Sequence, residues 1–517
     1  MEAIICRVYS ALCNGLEVVT VCVEISITPG VGIYLIGLPD SAVRESLLRV
    51  KSALDFYNYR IPGKKIIINL APADVKKEGS VYDLSIAIAV LISTGQILAN
   101  NLNKIMIMGE LSLDGTLRPM KAVLPIALYA EAQGYKACIF PAESAQEAAD
   151  VKDIKIYGAN SLSEVIDIIR GEDYIINLLA ERNDVNEGDK SICLYNFKDV
   201  IGQAYVKRGL EIAASGNHNL LMIGPPGSGK SFMAKCLPGI LPELSREEAL
   251  ETSKIYSVAG LTYGKKGLIK QRPFRTPHHT ASMVSLTGGG LNATPGEISL
   301  AHNGVLYLDE MSQYSRSTLD VLRQPLEDGY ISISRSRYKL RYPASFMLVG
   351  SMNPCPCGYA GDDSGKCTCT SAMIKRYMSK ISGPLMDRID ITIRVKRVDS
   401  SKLLEASKFN KISKLEESSS DIAKRVARVR NIQLERFKKD KIFTNSQMNA
   451  EQLSYYCSLD NKERKYLNTI MEKFFLSARS YSRILKISRT IADMESSERI
   501  SFGHISEAVQ FRSQELL

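Results

Sequence analysis

The chain has 517 residues, with 66 Lys plus Arg against 56 Asp plus Glu, for a formal charge of +10. Hydrophobic residues make up 45% and charged residues 24%, the proportions of ordinary folded proteins, which excludes a disordered, collagenous or fibrous chain. The length exceeds what one core supports and predicts about three domains.

No run approaches the ~20 uninterrupted apolar residues of a membrane helix. The most apolar stretch, around Leu84 to Ile97, carries Ser85, Ser93 and Gly95 and is too short. Met1 to Cys6 has an early Glu2 and no basic region leading into an apolar one, so it does not read as a signal peptide and the expected location is the cytoplasm. There the 11 cysteines stay reduced. Seven are scattered (Cys6, Cys13, Cys22, Cys138, Cys193, Cys236, Cys457) and read as small buried hydrophobes.

In chain order, residues 1–172 alternate β-branched runs (Val18 to Ile27, Ile66 to Leu70, Lys104 to Met108, Ala137 to Phe140) with helical stretches (Ser41 to Phe56, Leu84 to Ile97). That pattern predicts an α/β or α+β domain. Residues 173–192 turn polar and acidic, with Glu181, Asp184, Glu187 and Asp189, and read as a linker. Residues 193–400 alternate strands, glycine-rich loops and helices, as in a nucleotide-binding α/β core. Residues 401–517 shift to Lys, Glu, Ser, Leu and Ile at helical spacing, predicting a helical domain from Asp421.

Gly224, Pro225, Pro226, Gly227, Ser228, Gly229, Lys230 and Ser231 fit GxxxxGKS between an apolar strand, Leu220 to Ile223, and a helical stretch from Phe232. In such a loop, backbone N–H groups curl around phosphate, Lys230 reaches the β and γ phosphates, and the Ser231 hydroxyl holds Mg²⁺. A second apolar strand, Val305 to Leu308, ends in Asp309 and Glu310, one acid placed to support the metal and the other to polarise water. A third, Phe346 to Gly350, leads to Asn353, a neutral group able to align that water, or a turn residue.

These residues, with Ser351 to Pro354 and Gly383 to Asp390, resemble the magnesium-chelatase-type AAA+ ATPases, and within them the ComM/YifB group of DNA-processing ATPases. The likeness runs through nearly the whole chain, from Ile36 to Asp40 to Ser477 to Arg479 and Arg489 to Asp493. It implies a multidomain α/β protein: a Lon-protease-like α+β N-terminal domain, a P-loop AAA+ core and a C-terminal helical lid. It implies a homo-oligomeric ring, a hexamer, with ATP and Mg²⁺ between subunits. Arg388 matches the arginine finger that reaches a neighbour's γ-phosphate, and Arg479 the sensor arginine that reports nucleotide state; the alternative for each is a surface salt bridge.

Cys355, Cys357, Cys367 and Cys369 form two closely spaced pairs in the segment 355–369, with Pro354, Pro356, Gly358, Gly361 and Gly365 forcing turns. Four thiolates on a short loop poor in apolar residues predict a structural Zn²⁺ site, with reactive redox thiols as the alternative. Arg335, Arg337, Lys339 and Arg341 alternate through Ile331 to Tyr342, so a β-hairpin would put all four on one face, opposite Tyr338 and Tyr342. With the net positive charge, that face is expected to grip single-stranded or branched DNA without sequence preference; a solvated strand face is the alternative. Arg272 to His279 resembles the helix-2 insertion of the same family.

Gly109 to Gly115 with Pro119 resemble the Lon-protease-like fold. The nucleophile position of that fold falls on Val81 and the lysine position near Leu124, while Ser80 and Lys121 lie out of register, so the domain is expected to be non-catalytic. The sequence therefore predicts an ATP-driven hexameric DNA translocase or helicase promoting branch migration in recombination or natural transformation. The ATPase subunit of a magnesium chelatase and a protein-remodelling ATPase linked to proteolysis are the alternatives.

Overall fold

Alternation decides the first two strands. In β1 (Ile5–Asn14), Cys6, Val8 and Ser10 are buried between more exposed neighbours, and in β2 (Glu17–Thr28) Val21, Val23 and Ile25 repeat the pattern. They pair antiparallel across a turn in which Gly15 takes the left-handed conformation, φ 63°. The computed structural model describes residues 5–99, 102–171, 179–180, 194–290, 293–334, 339–362, 365–397, 416–440 and 442–512. It divides into two compact units, Met1–Asp189 with Arg246–Ile269, and Lys190–Ser245 with Lys270–Leu517.

The first unit is built on a seven-stranded mixed sheet. With β3 (Gly32–Ile36), β4 (Lys65–Ala71), β5 (Ile105–Ile107), β6 (Ala137–Pro141) and β7 (Lys155–Ala159), the order is β3-β4-β2-β1-β5-β6-β7. The helix Asp83–Ser93 is buried from Asp83 to Leu91, and its one charge is held by Arg49, whose Nε donates to Asp83 at 2.6 Å. It stops before the expected Ile97 because Gly95 turns left-handed, φ 72°, and the Gln96 N–H folds back to the Leu91 carbonyl at 3.0 Å. Ser80 donates to Glu110, and the Lys121 side chain runs against Gly260; among the described residues no hydrogen bond joins Ser80 to Lys121.

Residues 246–269, which the sequence reading counts within 193–400, cluster with this first unit instead. The helix Arg246–Ala259 has an apolar face, and its periodicity does not say which core receives it. Glu147 is the anchor: almost fully buried, it accepts from Ser257 Oγ at 2.7 Å, from the Leu124 N–H at 3.0 Å and from Thr262. Burial pushes its carboxyl up, with those hydrogen bonds opposing. The expected linker, 173–192, lies largely outside the described residues; within it, Ala180 N–H donates to Ile156 O at 2.8 Å, so that part of the chain is tied to β7.

The second unit holds a five-stranded sheet. Its strands are β8 (Leu220–Ile223), β9 (Phe274–Arg275), β10 (Val305–Leu308), β13 (Met347–Met352) and β14 (Ile391–Arg394), all parallel, ordered β9-β10-β13-β8-β14. Between β10 and β13 stands a hairpin, β11 (Tyr330–Ser334) and β12 (Lys339–Pro343). The helices Ser419–Arg436, Ala450–Tyr456, Asn461–Lys473, Ala478–Met494 and Phe502–Gln510 follow, as expected for a helical C-terminal region; residues 398–415 are outside the described set. One apolar core runs from Leu220, Val305 and Val349 into Ile422, Val426, Ile484 and Ile505, joining sheet and helices. Among the described residues no helix is long and apolar enough to cross a membrane.

Two buried polar clusters fasten those helices. Asp493 accepts from Arg489 Nε at 3.0 Å, from Arg436 Nη1 at 2.7 Å and from Asn445 at 2.9 Å. Asp390, just before β14, accepts from the Asn219 N–H at 2.9 Å and from Arg483. Burial pushes the Asp390 carboxyl up, but the Arg483 guanidinium and His218 outweigh it and hold the group below the usual carboxylate range. A depressed folded-state value adds stability above the unfolded value of about 3.9 and loses it as pH falls toward the folded one. Asp390→Asn should therefore cost roughly 3 kcal/mol at neutral pH, leaving Arg483 without its anion. In thermal melts across a pH series, the gap from wild type should narrow below about pH 4.

Candidate functional site

Parallel register sets the site. Ile223 lies opposite Met352, and Leu308 opposite Gly350, so Gly224, Asp309 and Asn353 leave the sheet at one edge. That edge is the carboxyl end of the strands, where β8 sits between strands far from it in sequence. At Gly224 a Cβ would stand 2.4 Å from the Val395 carbonyl, so the loop can begin only with glycine. Gly227 (φ 75°) and Gly229 (φ 85°) take left-handed conformations with open space where a side chain would point. Ser228 is buried, and its Oγ has no hydrogen-bond partner, an orphaned group in the wall of a phosphate cradle.

Lys230 Nζ donates to the carbonyls of Gly224 at 2.6 Å and Pro225 at 2.9 Å, and reaches Asn353 Oδ1 at 3.3 Å. Burial pushes the ammonium down, opposed by Asp309 and Glu310. Ser231 Oγ donates to Asp309 at 2.8 Å, and Ser351 Oγ donates to its other oxygen at 2.5 Å. Burial raises the Asp309 carboxyl, but the hydroxyls of Ser351, Ser231 and Tyr307 prevail and keep it ionised. Glu310 is exposed and held at φ 47°, a conformation uncommon outside glycine and asparagine. The five expected groups Lys230, Ser231, Asp309, Glu310 and Asn353 are thus gathered around Gly224–Ser231. The donor set fits a nucleotide phosphate with Mg²⁺, which Ser231 and Asp309 would hold.

A cleft of about 470 Å³ opens over this loop. Val200, Ile201, Phe232 and Met233 give it an apolar wall, Pro226 to Gly229 a phosphate floor, and Arg397 a cation. Sequence reasoning passed over Asp199 to Gln203 and Arg397, which carry no motif and reach the cleft only through the fold.

Arg388 and Arg479 do not border that cleft. They line a second cavity of about 580 Å³ with Arg483, Lys486 and Glu327. Arg388 donates to the Pro384 carbonyl at 2.7 Å and pairs with Glu327, while its buried Nε has no partner. Arg479 stands 3.9 Å from Asp387. The two arginines, 91 positions apart, are brought to one face, and Glu327 is a partner the sequence did not reveal.

The sulfurs of Cys355, Cys357, Cys367 and Cys369 lie within 4.8 Å of one another. Three of the separations are 3.2, 3.6 and 3.9 Å. Zn–S bonds of 2.3 Å in a tetrahedron require S···S of about 3.8 Å, so the quartet fits zinc. The Tyr359 N–H and the Cys355 thiol bring the Cys357 thiol down to about 6, toward the thiolate a metal needs. Among the described residues this is the one group that gathers metal-ligating side chains; His278 and His279 face each other with ring centroids 4.1 Å apart.

On the hairpin, Lys339 and Arg341 are exposed on one face with Ser332 and Ser334, opposite buried Ile331, Ile333, Leu340 and Tyr342. The Arg341 guanidinium lies 4.6 Å from the Tyr330 ring centroid. Arg335, Arg337 and Tyr338 lie outside the described residues. Arg272 and Arg275 do not project: Arg272 donates to the Pro242 and Asn303 carbonyls, and Arg275 pairs with Glu297 beside β9.

Family models match three stretches: "Magnesium chelatase, subunit ChlI" residues 196–403, "Subunit ChlI of Mg-chelatase" residues 23–144, and "Magnesium chelatase, subunit ChlI C-terminal" residues 416–512. The chain is 40% identical over 510 residues to the competence protein ComM of Haemophilus influenzae, covering 98% of this chain and 97% of that one. It is 39% identical over 508 residues to YifB of Salmonella typhimurium, covering 98% and 96%. It is 26% identical over 186 residues to the magnesium-chelatase 38 kDa subunit of Rhodobacter capsulatus, covering 32% and 52%.

Purified under reducing conditions, the protein is expected to release about one zinc per chain to a chelating dye after thiol blocking. Cys355→Ser should abolish that release and lower the melting temperature, because the loop has little else to order it.

Proposed function

The chain belongs to the magnesium-chelatase-type AAA+ family that includes ComM and YifB, and on that premise we propose that it is an ATP-driven hexameric motor on DNA. In this reading it is a translocase or helicase that promotes branch migration, in recombination or in the uptake of transforming DNA. The exposed cations Lys339 and Arg341, carried on a hairpin between two strands of the ATP-site sheet, support the DNA partner. The name competence protein, borne by a relative alike over nearly its whole length, supports the pathway.

When bound, Mg²⁺ and ATP supply a labile phosphoanhydride and a cation that offsets its charge. The protein does the rest by position. Lys230 would turn from the Gly224 and Pro225 carbonyls to the β and γ phosphates. Ser231 and Asp309 hold the metal side. Glu310, exposed next to Asp309, takes a proton from water that Asn353 aligns. Arg388 and Arg479, which line their own cavity together, are presented to a neighbour's γ-phosphate, and Glu327 holds Arg388 until that phosphate competes. The N-terminal unit serves as a Lon-protease-like scaffold without a working dyad, since Ser80 is bonded to Glu110.

A magnesium chelatase subunit is the second reading, favoured by the descriptions of the three matching family models. The two part in one assay: steady-state ATP hydrolysis with single-stranded, duplex and four-way-junction DNA across a salt series. Stimulation by DNA that fades with salt and vanishes in Lys230→Ala supports the motor. Turnover indifferent to every DNA removes it and directs attention to protein partners. Glu310→Gln should retain ATP binding while turnover falls by about 10² to 10⁴, read by single-turnover hydrolysis.

A further inference from the structure

We propose that Arg397 is a nucleotide-binding residue, aimed by the four-cysteine loop, and that it supplies a cation to the phosphate chain of a bound adenine nucleotide. This rests on the ATP reading above. Arg397 follows β14 by three residues and lines the cleft with Pro226 to Gly229. Its Nη2 lies 3.5 Å from the Pro226 carbonyl, at the rim of the phosphate floor.

Two residues of the cysteine loop hold it there. The guanidinium stands 5.2 Å from the centroid of the Tyr359 ring, and Asp362 is 4.0 Å from its Nε. Both residues fall between Cys357 and Cys367. The same loop packs on the phosphate loop itself: Gly358, at φ 88°, has no room for a side chain, since a Cβ would stand 2.8 Å from Pro226 Cδ. The cysteine quartet thus fixes a segment whose one end touches Pro226 and whose middle braces Arg397.

The partners leave the charge available. An aromatic face orients a guanidinium without neutralising it. An ion pair at 4.0 Å with a half-exposed arginine is weak and yields to a polyphosphate. The apolar wall of Val200, Ile201, Phe232 and Met233 suits a base, so phosphates over Gly227 to Gly229 pass beneath Arg397. Lys230 would take the β and γ phosphates, and Arg397 the end toward the cleft mouth.

The test is equilibrium binding of a fluorescent ADP analogue to the full chain, from low to high salt, for wild type, Lys230→Ala, Arg397→Ala, Tyr359→Ala and Tyr359→Phe. Arg397→Ala should raise Kd about tenfold at low salt, with the deficit shrinking as salt rises. Tyr359→Ala should raise it several-fold while Tyr359→Phe, which keeps the ring, binds as wild type. A chelator that strips the cysteine loop of zinc should weaken wild type and leave Arg397→Ala little changed. If Lys230→Ala weakens binding but Arg397→Ala does not, the role assigned to Arg397 is wrong while the nucleotide site stands. If Arg397→Ala weakens binding equally at all salts and Tyr359→Phe behaves as Tyr359→Ala, the arginine acts through folding alone and the proposal fails. If wild type itself does not bind, the nucleotide reading falls and this inference with it.

Discussion

Three parallel strands must end at one level for this site to exist. The hydrogen bonds from Ser231 and Ser351 to the two oxygens of Asp309 are made across three elements, and a slip of one residue in β10 or β13 would turn their side chains to the other face. Close packing guards the register. Gly350 lies under the side-chain ends of Met311 and Leu221, whose Sδ and Cδ1 would stand 2.9 and 3.0 Å from an added Cβ, so a larger residue would have to displace those side chains. Gly224 is held more strictly, since a Cβ there would meet the Val395 backbone carbonyl at 2.4 Å.

What was legible in the sequence was whatever is local. Gly224 to Ser231, the apolar strand before Asp309 and the paired cysteines carry their meaning in their spacing, and the structure brings them together as that spacing implies. What was not legible depends on tertiary packing. Glu327 meets Arg388 from 61 positions away, and Arg397 meets Tyr359 from 38. Neither acid nor ring has a neighbouring signal that separates it from an ordinary surface residue. The helix Arg246–Ala259 has no motif to say which core receives it, because an amphipathic pattern states that a face is buried without saying against what, and the fold gives it to the first unit.

Charges in the second unit follow two designs. Asp390 and Asp493 are buried among arginines: Asp493 ties the C-terminal helices to one another through Arg489 and Arg436, and Asp390 ties one of them to the sheet through Arg483. Arg388, Arg479 and Arg397 border cavities instead, and the last two make long ion pairs of 3.9 and 4.0 Å. Motif matching treats all such arginines alike. Burial and the completeness of their hydrogen bonding tell fasteners from working groups.

The chain enters the second unit at Lys190, leaves it after Ser245 and returns at Lys270. The first unit is therefore made of two separate stretches of chain, with Arg246–Ile269 added to the N-terminal one. Removing everything before Lys190 would leave Arg246–Ile269 behind as an orphan, with Val258 and Leu268 stripped of the core they pack against and Ser257 and Thr262 without Glu147. Swapping whole domains between relatives at a single junction would split one fold and contaminate another. The two units are interleaved along one chain, and the relatives ComM and YifB match that chain over nearly its whole length.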